Sequence, residues 1–321
     1  MSRPSLPRPT LLPGLRPLWR DRHTVQLGTD PEQAMVLEFP HPAAAKLLEL
    51  LDGSRTERAI TDEMGRIGMP AADVHEILTA MIEAGLVVAA HTLMPSALPA
   101  DQRKRIGREA TALALRFRER PASPATILRR RYAARVIIAD DGPFARLLAP
   151  ALLEAGVGKV GRVTEAGGAA TSVASGQSTP IRADDAFVVQ VGRMTRIAIR
   201  GSRQRNPHLA IGVRDGVAIV GPLVPPTGGP CLRCLDLHRA DRDPAWPRLA
   251  AQLADKHAEP TPCTAATLLT AAGFAAAEVL TYLDGGLPST IGTTVEINGA
   301  LPWRRRTWTP HARCDCTRRA R

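Results

Sequence analysis

No apolar run in the 321-residue chain approaches the roughly 18 residues that a membrane-spanning helix needs. No membrane partner is therefore expected. The first seventeen residues carry Arg3, Arg8 and Arg16 but are broken by five prolines, which excludes an ordinary secretory signal. Cysteine is scarce, with five in all, too few for a disulfide scaffold. A cytoplasmic protein is the reading. Hydrophobic residues make up 44% of the chain, so a core can form and wholesale disorder is excluded.

Net charge is +11, which invites a nucleic-acid reading. The charge is unevenly spread. Residues 1–22 carry +4, residues 23–92 carry −7, residues 93–133 carry +7 and residues 134–321 carry +7. The N-terminal domain is thus acidic while the rest of the chain is basic.

Residues 1–14 are rich in proline and read as a disordered tail. Residues 15–92 read as one α+β domain. Short strands fall at 15–19, 24–27 and 34–39, separated by turn residues. Three helices follow, at 42–51, from Thr56 as N-cap to about Gly68, and at 70–85. The third carries Val74, Ile77, Leu78, Met81 and Ile82 at the spacing of one helical face. A strand at 86–88 completes a winged-helix-like pattern. Residues 93–133 read as an Arg-rich connector, helical over 102–119. From residue 134 to 321 the pattern is α/β. Strands are expected at 136–139, 159–163 and 186–191. A helix lies at 143–155 with Pro150 awkwardly inside it, and residues 167–179 read as a loop. Two hairpins are signalled by Asp215-Gly216 and Asn298-Gly299. A long Ala-rich helix spans 262–283, with Thr261 as its expected cap.

Cys231-Leu232-Arg233-Cys234 and Cys314-Asp315-Cys316 form two close pairs at opposite ends of this domain. A CxxC turn can place two thiolates on one metal, and two such pairs suit a tetrahedral structural zinc. His238 and His311 are reserve ligands if one cysteine falls short.

Several segments resemble a known family. The strand–turn–helix opening, the run Ala155-Gly156-Val157-Gly158-Lys159-Val160 and the sequence Gly229-Pro230-Cys231-Leu232-Arg233-Cys234-Leu235 resemble the ThiF/MoeB-type activating enzymes. So does the Ala-rich helix ending Tyr282-Leu283-Asp284-Gly285. The segment 236–246 and the tail 309–316 resemble one branch more specifically: the ThiF-like partner proteins of YcaO cyclodehydratases, which make azolines in precursor peptides. The N-terminal unit is similar to the PqqD-like element by which such proteins hold a leader peptide. The resemblance implies a Rossmann-type domain with a four-cysteine zinc. It also implies a leader peptide and a YcaO-type enzyme as partners, and a dimer, common among such folds.

The adenylation motif of that family is degenerate here. Its glycine loop reads Asp140-Asp141-Gly142-Pro143, with one glycine, a proline that lacks an N–H, and two carboxylates where phosphate would lie. The ribose-binding acid falls at Thr164 beside Glu165, and the metal-holding aspartate falls near Gly192. ATP is not expected to bind, although Asp140, Asp141 and Gly142 mark where it would. Cys263, before the Ala-rich helix, lies near a position where some relatives keep a reactive cysteine. Without adenylation it reads as a small apolar residue.

Between residues 70 and 84 the third helix has Asp73, Glu76 and Glu83 and no Lys or Arg. Such a helix is a poor reader of duplex phosphate. An extended peptide instead adds to a sheet edge. The candidate edge holds Val36, Leu37 and Phe39, and the candidate wall holds Val74, Ile77 and Met81. The expected role is a leader-peptide-binding scaffold, not itself catalytic. The alternatives are an ATP-dependent adenylyltransferase and a winged-helix DNA-binding regulator.

Overall fold

The computed structural model describes residues 5–30, 34–39, 44–116, 122–140, 142–162, 170–172, 180–181, 186–192, 206–253, 262–299 and 302–318. The chain divides into two compact units, Met1–Arg129 and Arg130–Arg321.

The first unit begins with β1 (Pro9–Leu11), β2 (Pro17–Trp19), β3 (Thr24–Leu27) and β4 (Met35–Glu38). It continues through α1 (Ala44–Leu50), α2 (Glu57–Arg66), α3 (Ala71–Glu83) and β5 (Val87–Ala89). Strands β2, β3 and β4 form an antiparallel meander with β3 in the middle. Thr56 caps α2, its hydroxyl accepting from the Ala59 N–H at 3.3 Å, as an N-cap should. The apolar stripe of α3 closes over the core, where Val74 and Leu78 are fully buried beside Val25, Leu27, Leu47, Ile60 and Met64.

Two expectations are corrected here. Residues 9–11 are not tail. They pair with β5 in register Pro9↔Ala89, Thr10↔Val88 and Leu11↔Val87. Flanking bonds from Leu11 N–H to Leu51 O and from Leu12 N–H to Leu86 O, each 2.8 Å, extend the seam. The composition of 1–14 hides this because β5 is too short to stand without a neighbour, and the prolines leave enough N–H groups to supply one. Consequently the strand at 86–88 joins this separate two-stranded ribbon and not the β2–β4 sheet. The segment read as a basic connector is also folded. It forms α4 (Ala100–Arg105), α5 (Gly107–Arg116) and α6 (Pro124–Ala133). Leu98, Ile106, Ala110, Leu113, Ile127 and Leu128 make an apolar cluster of their own. Apart from the buried Arg131, the described arginines of these helices are exposed, so a charge count conceals the buried stripe.

The second unit is a nine-stranded mixed sheet. Its strands are β6 (Arg135–Ala139), β7 (Lys159–Arg162), β8 (Ala170–Ser172), β9 (Pro180–Ile181), β10 (Phe187–Val191), β11 (His208–Arg214) and β12 (Val217–Val224), and then β13 (Thr293–Ile297) and β14 (Arg304–Thr307). The spatial order is β14-β13-β12-β11-β10-β6-β7-β8-β9. Strands β11, β10, β6 and β7 run parallel, and antiparallel strands extend both ends. β8 lies inside the segment read as a loop; the rest of residues 167–179 falls outside the described residues. Helix α7 (Pro143–Glu154) crosses from β6 to β7, with Pro150 inside it. The helices after β12 are α8 (Leu232–Arg242), α9 (Trp246–Leu253) and α10 (Ala265–Leu283). The cap of α10 is Thr264, not Thr261, and its hydroxyl accepts from the Thr267 N–H.

Layering follows side-chain alternation. Leu209 and Ile211 of β11 face the large core with α7 and α10. Ala210 between them belongs to a separate cluster with Leu232 and Leu235 of α8 and with Trp308. The alanines of α10 (Ala271, Ala272, Ala275 and Ala276) bring that helix close to the core. By length and hydropathy α10 could cross a membrane. Its Glu278, only 5% exposed, instead accepts from the N–H and hydroxyl of both Ser289 and Thr290. Asp215 and Gly216 take φ of 52° and 81° in the β11–β12 turn, the left-handed geometry that a two-residue hairpin prefers.

One buried ion pair ties the corner of this unit. The Arg131 guanidinium grips Asp284 in two bonds of 2.7 Å and donates to Ala155 O at 2.9 Å. Gly158 N–H donates to the Arg131 carbonyl at 3.0 Å. A Cβ at Gly158 would lie 1.8 Å from Tyr132 O, so only glycine fits there. Removing one partner of a buried pair strands the other charge. Asp284→Ala is expected to cost on the order of 3–5 kcal/mol, read as a lowered midpoint in chemical denaturation. The Arg131→Met, Asp284→Leu double variant should recover much of it.

Candidate functional site

The two cysteine pairs converge. Cys231 is the N-cap residue of α8 and Cys234 lies in its first turn. Cys314 and Cys316 come from the C-terminal segment, where Asp315–Arg318 form a short 3-10 turn. All four Sγ atoms lie within 4.8 Å of one another. The separations are 3.8 Å for Cys231–Cys234, 3.7 Å for Cys231–Cys314 and 3.3 Å for Cys234–Cys316. Four sulfurs at ~2.3 Å from a central ion would stand about 3.8 Å apart. Cys231, Cys234 and Cys314 are buried and Cys316 is partly exposed. Val224 and Leu237 pack around them.

The electrostatics favour a cation. Burial pushes the Cys231 thiol up to about 11 and raises Cys316 as well. Burial also opposes the Cys234 thiolate, yet the His311 N–H at 3.3 Å and the neighbouring thiols draw its pKa below the ordinary value. Four ionised sulfurs in so small a volume repel one another unless a dication supplies the compensating charge. The positive end of the α8 dipole favours the thiolate forms of Cys231 and Cys234 themselves. This buried four-cysteine cluster could bind a metal ion, and its donor set fits a structural site with no open position.

His238 and His311 are not among the ligands. His311 Nε2 meets Asp241 Oδ2 at 2.7 Å, and its Nδ1 accepts from Arg313 N–H at 3.1 Å. Arg313 also pairs with Asp241. His238 Nε2 donates to the Thr309 carbonyl at 2.9 Å. The two rings meet edge to face at 4.7 Å. They brace the strand of chain that delivers Cys314 and Cys316. Outside them, exposed Arg233 and Asp315 pair at 2.6 Å. Nothing in the spacing of these residues announces the bracing, because Asp241 and His311 are seventy positions apart.

At the carboxyl end of β6 the sheet order turns, with β7 on one side and β10 on the other. Such a switch point is where an α/β sheet binds ligands. Asp140 and Gly142 lie there, and Gly142 is the N-cap of α7 with Pro143 at the first helical position. A Cβ at Gly142 would lie 3.1 Å from Asp140 Oδ1. The protein's own carboxylate therefore backs onto the helix N-terminus that would cradle phosphate, and Pro143 offers no N–H. These residues do not fit a triphosphate. Asp141, Thr164 and Glu165 lie outside the described residues. Gly192 directly follows the end of β10.

Cys263 donates to the Gly216 carbonyl at 3.4 Å, and burial raises its pKa. Those are the properties of a protonated, packed thiol.

The N-terminal candidates divide. Val36 is 49% exposed on β4, Leu37 is half-buried and Phe39 is 4% exposed. Among the described residues β4 pairs only with β3, so its other side is open. Val74 and Met81 are buried in the core and cannot wall a groove. Ile77 alone of the three is partly accessible. The helical stripe gave no means of telling these apart, because one face serves both core and rim.

No protein-family model matches the chain, and no curated protein matches it. Solved structures do. A heterocyclase in complex with substrate and cofactor aligns over 97% of this chain and 39% of its own, at TM-score 0.62 and 17% identity. The heterocyclase TruD aligns over 98% of this chain and 42% of its own, at TM-score 0.63 and 14% identity. MccB of E. coli aligns over 96% of this chain and 99% of its own, at TM-score 0.56 and 12% identity. The likeness is one of fold. The chain spans about two-fifths of the heterocyclases and nearly the whole of MccB, and its α/β unit is Rossmann-like.

The purified chain is expected to hold one metal ion, measured by elemental analysis. Cys234→Ser should lose most of that metal and lower the melting temperature by several degrees, as chelation of the parent protein does.

Proposed function

We propose that this chain is a scaffold that binds the leader of a ribosomally made precursor peptide. It would present that peptide to a YcaO-type cyclodehydratase for azoline formation. The single observation that carries the reading is the open edge of β4 with exposed Val36. A leader lying along β4 gains backbone hydrogen bonds from the strand and apolar contact from Val36 and Ile77. The acidic charge of residues 23–92, which carry −7, suits a peptide with basic residues. The solved neighbours support a peptide-modifying context: two are heterocyclases, and MccB is described as the microcin C7 biosynthetic enzyme, crystallised with N-formylated MccA.

In this reading the catalytic nucleotide belongs to the partner enzyme. Asp140, folded against Gly142, leaves the chain's own switch point unsuited to ATP. The four cysteines Cys231, Cys234, Cys314 and Cys316 hold a structural zinc that fixes the C-terminal segment. The compartment is the cytoplasm, where thiols stay reduced for metal binding. A dimer would be compatible with this role.

A second reading has a specific observation behind it. The match to MccB, which has also been crystallised with ATP, is end to end. It would make this chain an adenylating enzyme in its own right. The two readings separate cleanly. A labelled leader should bind the full-length protein saturably by fluorescence anisotropy, and Val36→Asp should weaken it about tenfold. No ATP–pyrophosphate exchange should accompany binding. Exchange that depends on added peptide and disappears in Asp140→Ala would establish the adenylating enzyme instead.

A further inference from the structure

The far edge of the nine-stranded sheet is unusually cationic. β14 is the outermost strand and reads Arg304-Arg305-Arg306-Thr307. Among the described residues its backbone pairs only with β13, leaving a row of N–H and C=O groups free. Arg304 and Arg306 stand opposite Glu296 and Thr294 in register, so these four side chains share a face. Two adjoining recesses open on that face, of about 140 Å³ and about 300 Å³. They have Arg242, Arg306 and Trp308 in common.

The charges there do not cancel. Glu296 serves Arg214 at 3.1 Å and Arg306 at 3.0 Å. Asp236 serves Arg239 at 3.2 Å. No described carboxylate pairs with Arg242, Arg304 or Arg305. The Nε of Arg306 is buried against Glu296 Oε1 at 3.0 Å, which leaves the rest of its guanidinium beside the recess. The α8 arginines are held on indole rings. Arg239 lies 5.0 Å from the Trp246 centroid and 5.7 Å from that of Trp308, and Arg242 lies 6.0 Å from Trp308. Cation–π contact keeps them extended toward the groove.

Arginines on an edge strand also discourage self-association, since a second copy would set arginine against arginine. That purpose needs only the strand. It does not need arginines from a helix, ordered on tryptophan and converging on the same recess. We propose that the β14 edge is a second docking site, taking an extended acidic segment of another polypeptide as an added strand. Carboxylates at alternate positions of that segment face Arg304 and Arg306, and one lies within reach of Arg242. Strand addition uses the free backbone groups, which a nucleic-acid phosphate chain would leave unpaired. This site is separate from β4 and stands whether or not a leader binds there.

The test uses the full-length, metal-loaded protein and a fluorescein-labelled peptide of alternating Glu and Thr. Anisotropy should show saturable binding that weakens with salt. The Gln–Thr peptide, the Arg242→Glu, Arg304→Glu double variant, and the Glu–Thr peptide N-methylated at alternate amides should each weaken binding about tenfold or more. Both substituted arginines are exposed, so metal content and circular dichroism should not change. If the glutamate pair disturbs either, the Arg242→Gln, Arg304→Gln pair supplies the same comparison. The proposal is overturned if the acidic peptide does not bind, if the variants leave binding unchanged, or if the N-methylated peptide or duplex DNA binds as well. The last two results would mark a diffuse anionic surface and not a strand site.

Discussion

The α/β unit depends on the closure of four thiols around one point. Cys231 and Cys314 are 83 positions apart, yet their sulfurs stand 3.7 Å from each other. Bringing them together costs loop-closure entropy that no local pattern offsets, so the compensation comes from tertiary packing, to which a metal ion bound by the four thiols would add. The consequence reaches beyond the sulfurs. Between the two pairs the chain runs through α8, α9, α10, β13 and β14, and the closure returns its end to the start of α8. Trp308 is thereby pinned over α8 beside Leu232 and Leu235, its indole N–H satisfied by Thr294 at 3.0 Å. The arginine-lined recess exists because of that closure: one wall is α8 and the other is the strand leading to Cys314.

The same unit also has the topology of a ligand-binding switch point, lined by residues that do not fit a triphosphate. The strand order reverses at β6, and a helix N-terminus points at the switch. But Asp140 lies against Gly142, and a proline stands where a further N–H would be. A negative group already sits at the positive end of the helix. The buried Arg131–Asp284 pair shows the same unit investing in rigidity instead, locking α6 to the loop after α10 through a bidentate contact between side chains that are 3% and 5% exposed.

The first unit shows how one apolar stripe is divided between burial and presentation. Helix α3 spends Val74, Leu78 and Met81 on the core and leaves Ile77 at its rim. The β2–β4 meander spends Val25 and Leu27 of its middle strand and leaves Val36 outside. The N-terminal strand β1 closes the other side by pairing with β5, which takes that ribbon away from the meander and leaves the edge of β4 open. The helical segment that follows is basic outside and apolar inside, so its charge reflects surface composition and not disorder.

Much of this was legible in the residues alone. Periodicities of two and 3.6 placed most strands and helices of both units. Asp215-Gly216 marked its hairpin through backbone geometry that few other pairs adopt. CxxC and CxC marked the four-cysteine cluster because two thiols on one turn are chemically specific at short range. What the sequence could not decide was everything that depends on distance through space. It could not show that residues 9–11 pair with 87–89, since proline content is a local property and strand pairing is not. It could not say which members of the α3 stripe are core, nor that His311 braces the cysteine site through Asp241 instead of joining it. Nor could it show that Arg242 and Arg304 share one recess, because charge carries no address until the chain folds. Local chemistry chooses the elements; long-range closure, which sums contacts between residues far apart in the chain, decides which of their faces meet.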